Sequence, residues 1–196
     1  CPQYLALTDE VYHRPGFEGG KFVCSPPIRS QQDQDALWQA LEEGEIEVIS
    51  TDHCSFTLAQ KDAGREDFTK IPGGLPGVET RGELIYSYGV AAKKLSLAQM
   101  CRVLSENPAK LYGLYPRKGV LAPGSDADIV IYDPGDSHVI RAEDCVANVD
   151  YNPYECFVTA GGIREVWLRG RKTVENGKVL DTVPAGMYLA RGKCDL

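Results

Sequence analysis

The chain has 196 residues and a formal net charge of −7, with 43% apolar and 25% charged residues. These fractions are typical of a globular domain with a packed core and exclude wholesale disorder. The acidic balance argues against nucleic acid or an anionic membrane as the main partner, because both bind clustered lysine and arginine. The apolar runs are also too short to span a bilayer.

The cysteines indicate a compartment rather than a site. All seven lack a CxxC pattern and a regular spacing, so neither a zinc ribbon nor a disulfide framework is predicted. We expect most of them to be buried free thiols, as is typical of a cytoplasmic protein. The chain opens on Cys1 rather than on methionine, and we therefore expect further sequence upstream.

The first part of the chain is predicted to alternate strands and helices. Residues 21–25 form a short apolar run that two prolines stop, which indicates a strand ending in a loop. Helical spacing predicts a helix over residues 33–43, ended by Gly44. Residues 47–50 predict a second buried strand. A strand, a helix and a strand at this spacing favour a parallel sheet with helices outside it.

A long polar loop is predicted from residue 53 to about residue 78, and loops of this length often belong to active sites. A helix should follow from about residue 79. Ser96 is a candidate N-cap for a second helix that runs to about residue 105. A short helical segment then restarts at Asn107 with a proline in its first turn.

The pattern changes near residue 118, where we place a boundary between segments 1–118 and 119–196. Asn176 and Gly177 form the dipeptide that most strongly signals a tight β-hairpin. The second segment is therefore predicted to be antiparallel β. Its other short β-rich runs lie at residues 128–133, 137–140 and 164–169.

Asp52 is the leading candidate for a catalytic residue. It directly follows a predicted strand, and functional residues of parallel α/β barrels stand at the C-terminal ends of strands. A carboxylate there can bind a divalent metal and accept a proton from a metal-activated water. The alternative is that Asp52 merely caps the following turn. His53 should point away from Asp52 on an extended chain, and we expect it to form structural hydrogen bonds.

A catalytic metal site needs about three protein ligands, often histidines. The chain has only His13, His53 and His138, with no HxH pair, and we expect structural roles for all three. If Asp52 binds a metal, most of the other ligands lie outside this chain. The glycine-rich residues 73–77 match no phosphate-binding motif, although they would let the main chain approach a ligand closely.

An ordered set of motifs resembles the C-terminal part of the dihydropyrimidinases and D-hydantoinases, which are cyclic amidohydrolases of the amidohydrolase superfamily. The resemblance covers essentially the whole chain. The motifs are CPQYL at 1–5, CSPPIR at 24–29, STDHCSF at 50–56, FTKIP at 68–72, GVETR at 77–81, NPAKLYGL at 107–114 and GSDADIVIYDP at 124–134.

The resemblance implies an α/β fold in which residues 1–118 form the last strands and helices of a TIM-like (β/α)8 barrel. Residues 119–196 would form part of a small β-sandwich and a C-terminal tail. It also implies hydrolysis of the cyclic amide of dihydropyrimidines or 5-substituted hydantoins to N-carbamoyl amino acids. Two divalent metals, expected to be zinc and bridged by a carboxylated lysine outside this chain, would serve the reaction in a homotetramer.

Three residues of this chain acquire roles from the resemblance. Asp52 would ligate one metal and carry the proton to the leaving nitrogen, and the main chain of Ser25 would bind the imide edge of the substrate. Gly73 replaces the asparagine of the family pattern Lys-Ile-Pro-Asn-Gly. Together with Ser25 it would bind the substrate. Since only Asp52 of the metal ligands is present, we expect the isolated chain to be inactive. The alternatives are a non-catalytic dihydropyrimidinase-related scaffold protein and another cyclic amidohydrolase such as an allantoinase.

Overall fold

The computed structural model describes residues 1–181 and 186–196. Short helices make up most of its first part, and a small antiparallel sheet follows. The α-helices are α1 (Pro2–Ala6), α2 (Gln31–Glu43), α3 (Leu58–Asp62), α4 (Arg81–Ile85), α5 (Leu97–Cys101) and α6 (Asn107–Leu111). Further turns are 3-10 helices at Asp9–His13, Glu18–Phe22, Phe68–Lys70 and Ala142–Asp144, and π-helices at Tyr86–Ala91 and Arg102–Glu106.

Helix α2 confirms the helix predicted over residues 33–43 and begins two residues earlier. Ser30 and Asp33 form a capping box at its start, in which each side chain accepts a hydrogen bond from the other residue's backbone N–H. Gly44 ends the helix with a φ of 82°, a left-handed conformation that favours glycine. The buried face carries Trp38 and Leu41, so the apolar spacing of the sequence matches the packed side.

The two strands predicted at residues 21–25 and 47–50 are wrong. The first overlaps the 3-10 helix at Glu18–Phe22, and the second is extended chain whose Ile49 N–H donates to the Val103 carbonyl at 3.0 Å. A strand requires a ladder with a neighbouring strand, and this part of the chain has only one described parallel bridge, between His53 and Leu75. The mixed α/β character is therefore present without an assigned parallel sheet.

The predicted long loop at residues 53–78 contains two structured turns. Helix α3 begins with a capping box between Thr57 and Gln60, and Asp67 caps the 3-10 helix Phe68–Lys70 with its side chain. The predicted long loop omitted these two helical turns, because glycine and charge masked the Thr-x-x-Gln start signal that the sequence does contain. The segment is consequently held in a defined shape.

Ser96 caps α5 as predicted, through a capping box with Gln99. The chain then stays helical through the π-helix Arg102–Glu106 into α6, so the predicted break before Asn107 is wrong. Pro108 lies at the start of α6, where a missing backbone N–H costs little. Gly113 follows with a φ of 64° and ends the helical run.

The sheet consists of β1 (Ile129–Asp133), β2 (Gly162–Leu168), β3 (Arg171–Glu175) and β4 (Lys178–Val179), paired antiparallel in that order. Asn176 and Gly177 connect β3 to β4 with φ values of 48° and 74°, as a type I′ hairpin requires. The predicted hairpin is thereby confirmed. The strand predicted at 137–140 is wrong, since within the described residues it forms only an isolated bridge from Val139 to Val158.

The buried apolar side chains form two clusters that hold the site region in place. Ile140 and Tyr154, which follow residue 118, pack in the first cluster. The boundary near residue 118 stays a prediction. The buried members of the first cluster are Leu7, Val11, Phe22, Ile28, Leu75, Leu84, Ile140 and Tyr154. Those of the second are Leu5, Trp38, Leu41, Ile49, Ile85, Leu95 and Val103.

The expectation of buried cysteines is wrong. All seven thiols are free, four are exposed and three are partly buried. Apolar sequence neighbours misled the prediction, because they do not determine whether the cysteine side chain itself points into the core. In residues 1–181 and 186–196, no helix has the length and apolar character needed to cross a membrane.

Candidate active site

The segment that carries Gly73 lies directly against the segment that carries Ser25. The Gly74 N–H donates a hydrogen bond to the Val23 carbonyl at 3.0 Å. A Cβ atom added to Gly73 would lie 3.9 Å from the backbone nitrogen of Ser25. The two residues assigned to substrate binding by resemblance are therefore neighbours in space, although 48 positions separate them in the sequence.

The other side of the same segment contacts the residues that follow Asp52. The Cys54 N–H donates to the Leu75 carbonyl at 3.1 Å, and His53 and Leu75 form the parallel bridge. The segment at residues 73–75 thus lies between the Ser25 segment and the Asp52 segment. All three residues that the sequence singled out consequently stand on adjacent stretches of backbone.

Asp52 has a backbone φ of 49°, a left-handed conformation that is uncommon for residues other than glycine. Its side chain is exposed, and it forms no hydrogen bond or salt bridge with any residue in the described ranges. A turn-capping role requires the carboxylate to accept a backbone N–H, and no such bond is present in those ranges. Backbone strain at an exposed, unpaired carboxylate favours a functional role.

His53 organises the glycine-rich turn beside the site. Its Nδ1 accepts hydrogen bonds from the backbone N–H groups of Gly77 and Val78, at 3.1 and 3.3 Å. With Nδ1 as the acceptor, the proton of the neutral ring lies on Nε2, where the Ser55 hydroxyl is 3.5 Å away. The structural hydrogen-bonding role expected for His53 agrees with this arrangement.

The turn after Ser25 is held by side chains of its neighbours. The Pro26 carbonyl accepts hydrogen bonds from the Tyr4 hydroxyl at 2.8 Å and from the Cys24 thiol at 3.3 Å, and the Ser25–Pro26 peptide bond is cis. Burial, reinforced by Cys24 and Asp52, raises the pKa of Tyr4 to about 12. Tyr4 therefore remains a protonated donor at neutral pH, and the exposed backbone of Ser25 is presented in a fixed position.

Sequence reasoning missed Lys61, whose side chain contacts the backbone segments that carry Ser25 and Gly73. Only 1% of the residue is exposed. Its Nζ donates to the carbonyls of Val23, Pro72 and Gly74 at 2.7, 2.7 and 2.9 Å. Burial lowers its pKa from the usual 10.5 to about 8. Lysine in a polar stretch is usually solvent-exposed, so only its place in the capped helix α3 could have hinted at this role.

The residues present can supply a metal site only in part. Asp52 offers an unpaired carboxylate, which suits a divalent cation. No group of three or more histidine, cysteine, aspartate or glutamate side chains comes together within the described residues to hold an ion. His138 lies apart, 3.4 Å from Glu83. A metal ion bound at Asp52 would therefore need further ligands from outside the described residues.

Comparison with known proteins identifies the relatives of this chain. It is 42% identical over 195 residues to a D-hydantoinase of Streptomyces coelicolor, covering 99% of this chain and 42% of that protein. It is also 42% identical over 194 residues to a D-hydantoinase of Geobacillus stearothermophilus, covering 98% of this chain and 41% of that protein. The chain therefore spans about two fifths of the length of these relatives.

Solved structures agree with the sequence relatives. A dihydropyrimidinase from Brevibacillus agri superposes with a TM-score of 0.90 at 45% identity, covering 92% of this chain and 39% of that one. An L-hydantoinase (dihydropyrimidinase) from Arthrobacter aurescens superposes with a TM-score of 0.83 at 33% identity, over 91% of this chain and 39% of that one. The sequence model of the amidohydrolase family matches residues 18–179. The chain belongs to the amidohydrolase family.

Proposed function

We propose that this chain carries one metal ligand and the substrate loops of a metal-dependent cyclic amidohydrolase. The enzyme would open the ring of dihydropyrimidines or 5-substituted hydantoins and release N-carbamoyl amino acids. The observation that carries the proposal is the adjacency of Ser25, Gly73 and Asp52 on three neighbouring backbone segments. The names of the relatives, D-hydantoinase and dihydropyrimidinase, support this substrate class.

Asp52 would act both as a ligand and as the proton carrier. Bound divalent metals would supply a water made nucleophilic at neutral pH. The Asp52 carboxylate would accept the proton of that water and donate it to the ring nitrogen as the amide C–N bond breaks. Its exposed position and its lack of a hydrogen-bond partner among the described residues leave both oxygens free for these tasks.

Ser25 and Gly73 would bind the imide edge of the ring through their main chains. A cyclic imide presents alternating carbonyl and N–H groups, which match the acceptors and donors of a peptide backbone. Both residues are exposed while the backbone beside them is hydrogen-bonded. The contacts that orient the ring would thus be pre-organised before the substrate arrives.

The metal, the compartment and the oligomeric state of the whole enzyme are also part of the proposal. Zinc is the proposed metal, because it accepts a carboxylate among its ligands. The free cysteines support the cytoplasm, a reducing compartment. Exposed apolar side chains at Val130, Ile131 and Val158 support contacts with further protein, as the proposed homotetramer would make. Pyrimidine catabolism is the corresponding proposed process. The TIM-like barrel and β-sandwich are proposed from the relatives.

A hybrid enzyme tests the proposal directly. In the hybrid, this chain replaces the 194 matched residues of the Geobacillus stearothermophilus D-hydantoinase, so that the remaining ligands come from the relative. Metal-loaded hybrid is assayed with dihydrouracil, a 5-substituted hydantoin and allantoin, and the ring-opened products are quantified by chromatography. The Asp52→Asn hybrid reports whether turnover depends on this chain.

We expect the hybrid to hydrolyse the dihydropyrimidine or the hydantoin and the Asp52→Asn hybrid to lose that activity. A folded, metal-loaded hybrid without turnover would favour the scaffold alternative, and a preference for allantoin would favour an allantoinase. The isolated 196-residue chain should be inactive, since it supplies only Asp52. Turnover by the isolated chain would contradict that expectation.

A further inference from the structure

We propose that Lys61 is a positioning residue that holds the Ser25 and Gly73 loops at the spacing the substrate requires. The inference rests on the proposed function, since it assigns a support to the substrate loops of that site. Among the described residues, Lys61 forms no hydrogen bond or salt bridge with Asp52. Its ammonium instead binds the two loops together.

The three acceptors of Lys61 are distributed over both loops. Val23 lies two residues before Ser25, while Pro72 and Gly74 flank Gly73 on either side. A lysine ammonium has three donors, and each binds one of these carbonyls at 2.7–2.9 Å. All three donors of the ammonium are therefore hydrogen-bonded, and together they link the two loops non-covalently.

The base of this cross-link is itself fixed. Lys61 lies in α3, which begins at the capping box of Thr57 and Gln60. The Leu58 N–H also donates to the Asp150 carboxylate at 2.8 Å, which ties the helix to a segment far along the chain. The position of the Lys61 backbone is thus set by contacts outside the loops, so its side chain can impose a position on them.

A purely space-filling role explains the residue poorly. Burying a cation costs several kcal/mol unless it is paired and hydrogen-bonded, and in residues 1–181 and 186–196 no carboxylate forms a salt bridge with Lys61. The Lys61 Nζ also lies 5.6 Å from the centroid of the Phe56 ring. An apolar side chain would fill the same volume at lower cost, but it would supply no donor to the three carbonyls. The three hydrogen bonds to the loop carbonyls therefore explain why a buried cation is present at this position.

The consequence for catalysis is a defect in binding. Main-chain contacts to the ring act equally in the ground state and in the transition state, so their misplacement raises KM more than it lowers kcat. Lys61→Met keeps the length of the side chain and removes its donors. Lys61→Arg keeps the charge, but its planar fork does not match three convergent carbonyls. Lys70→Met is the matched control, because Lys70 lies three residues before Gly73 and its side chain is 70% exposed.

Two measurements test the inference. The first is amide hydrogen exchange on the 196-residue chain, which follows the Gly74 amide bonded to Val23 and the Cys54 amide bonded to Leu75. The second is steady-state kinetics on the hybrid enzyme. We expect Lys61→Met to accelerate exchange at these amides by about tenfold while α2 keeps its protection, and to raise KM by about tenfold with a smaller change in kcat. Lys70→Met should change neither quantity.

Lys61→Arg keeps the test decisive if Lys61→Met does not fold, and we expect it to show the same local exchange with a smaller rise in KM. Unchanged exchange at both amides in a folded Lys61 variant would overturn the inference. A local rise in exchange with unchanged KM in an active hybrid would also overturn it, since the loops would then not position the substrate. If the wild-type hybrid is inactive, the proposed function fails, while accelerated exchange confined to these loops still supports the role of Lys61.

Discussion

Gly73 faces Ser25 across a gap that can accept a side chain, since a Cβ atom built on Gly73 would lie 3.9 Å from the Ser25 nitrogen. This distance is an ordinary van der Waals contact. The next residue differs sharply, because a Cβ on Gly74 would come within 2.4 Å of the Cys54 carbonyl oxygen. The backbone therefore requires glycine at position 74 and not at position 73. The departure from the family asparagine at position 73 is not enforced by space.

We accordingly predict that Gly73→Asn keeps the wild-type stability and that Gly74→Ala lowers it. The first change should leave the free energy of unfolding within about 0.5 kcal/mol of the wild type, as for a surface substitution. The second should lower it by about 1–3 kcal/mol, because the new methyl group displaces backbone. Denaturant unfolding of both variants measures the difference. Equal losses of stability would show that the two positions are not distinguished as described.

A second prediction concerns the substrate contact of the same residue. In the hybrid, an asparagine amide at position 73 would stand beside the Ser25 backbone and could add a hydrogen bond to the ring. We expect Gly73→Asn to lower KM with little change in kcat, since such a bond would act in both the ground and transition states. A higher KM would indicate that the side chain blocks the ring. In that case the open surface at Gly73 would be part of the substrate site.

Two substitutions of Asp52 should separate its effect on stability from its effect on catalysis. Asparagine tolerates a left-handed backbone at least as well as aspartate does, so Asp52→Asn should keep the stability while lowering hybrid turnover by about 10²–10⁴-fold. Asp52→Gly should raise the free energy of unfolding by about 1 kcal/mol by relieving the strain at φ 49°. The control is Asp62→Asn, which changes an exposed carboxylate paired with Arg65. Full activity in Asp52→Asn would remove Asp52 from the mechanism.

Structural features set by residues close together in the sequence could be predicted from it, whereas features set by distant contacts could not. The helix end at Gly44 and the hairpin at Asn176 depend on residues within four positions, so the local sequence pattern located them. The extended segment at residues 47–50 was expected to join a sheet, but a ladder depends on a partner strand that local sequence does not specify. Asp52 could be located by its place after that segment. Lys61 could not, because its acceptors lie 38, 11 and 13 positions away.

Two glycines, one in the β3–β4 hairpin and one in α4, should respond to alanine substitution with opposite changes in stability. Gly177 has a φ of 74°, so Gly177→Ala should cost about 1–2 kcal/mol. Gly82 lies within α4, where an added Cβ would meet only the Ile163 Cδ1 at 3.6 Å. Gly82→Ala should therefore stabilise the chain by about 0.5–1 kcal/mol. Thermal unfolding of both variants compares the signs, and a stabilised Gly177→Ala would contradict the type I′ turn.

The ionisation of Lys61 should leave a signature in the pH dependence of stability. Burial lowers its pKa from 10.5 to about 8 in the folded chain. Between about pH 8 and pH 10.5, Lys61 is protonated in the unfolded chain and deprotonated in the folded chain. The free energy of unfolding should therefore rise with pH in this window. Below about pH 8 both states are protonated, and the contribution of Lys61 should be constant there.

The groups facing Lys61 are the thiols of Cys24 and Cys54, which raise its pKa, and the uncharged ring of Phe56. The comparison is therefore made in a Cys24→Ser, Cys54→Ser background, with and without Lys61→Met. The difference in unfolding free energy between the two proteins isolates the lysine. It should increase in favour of the lysine form up to about pH 10.5, starting below the pH of about 8 that applies with both thiols present, because Cys24 and Cys54 no longer raise the pKa of Lys61. A constant or falling difference over this range would mean that the folded chain keeps the ammonium protonated, bound to its three carbonyls.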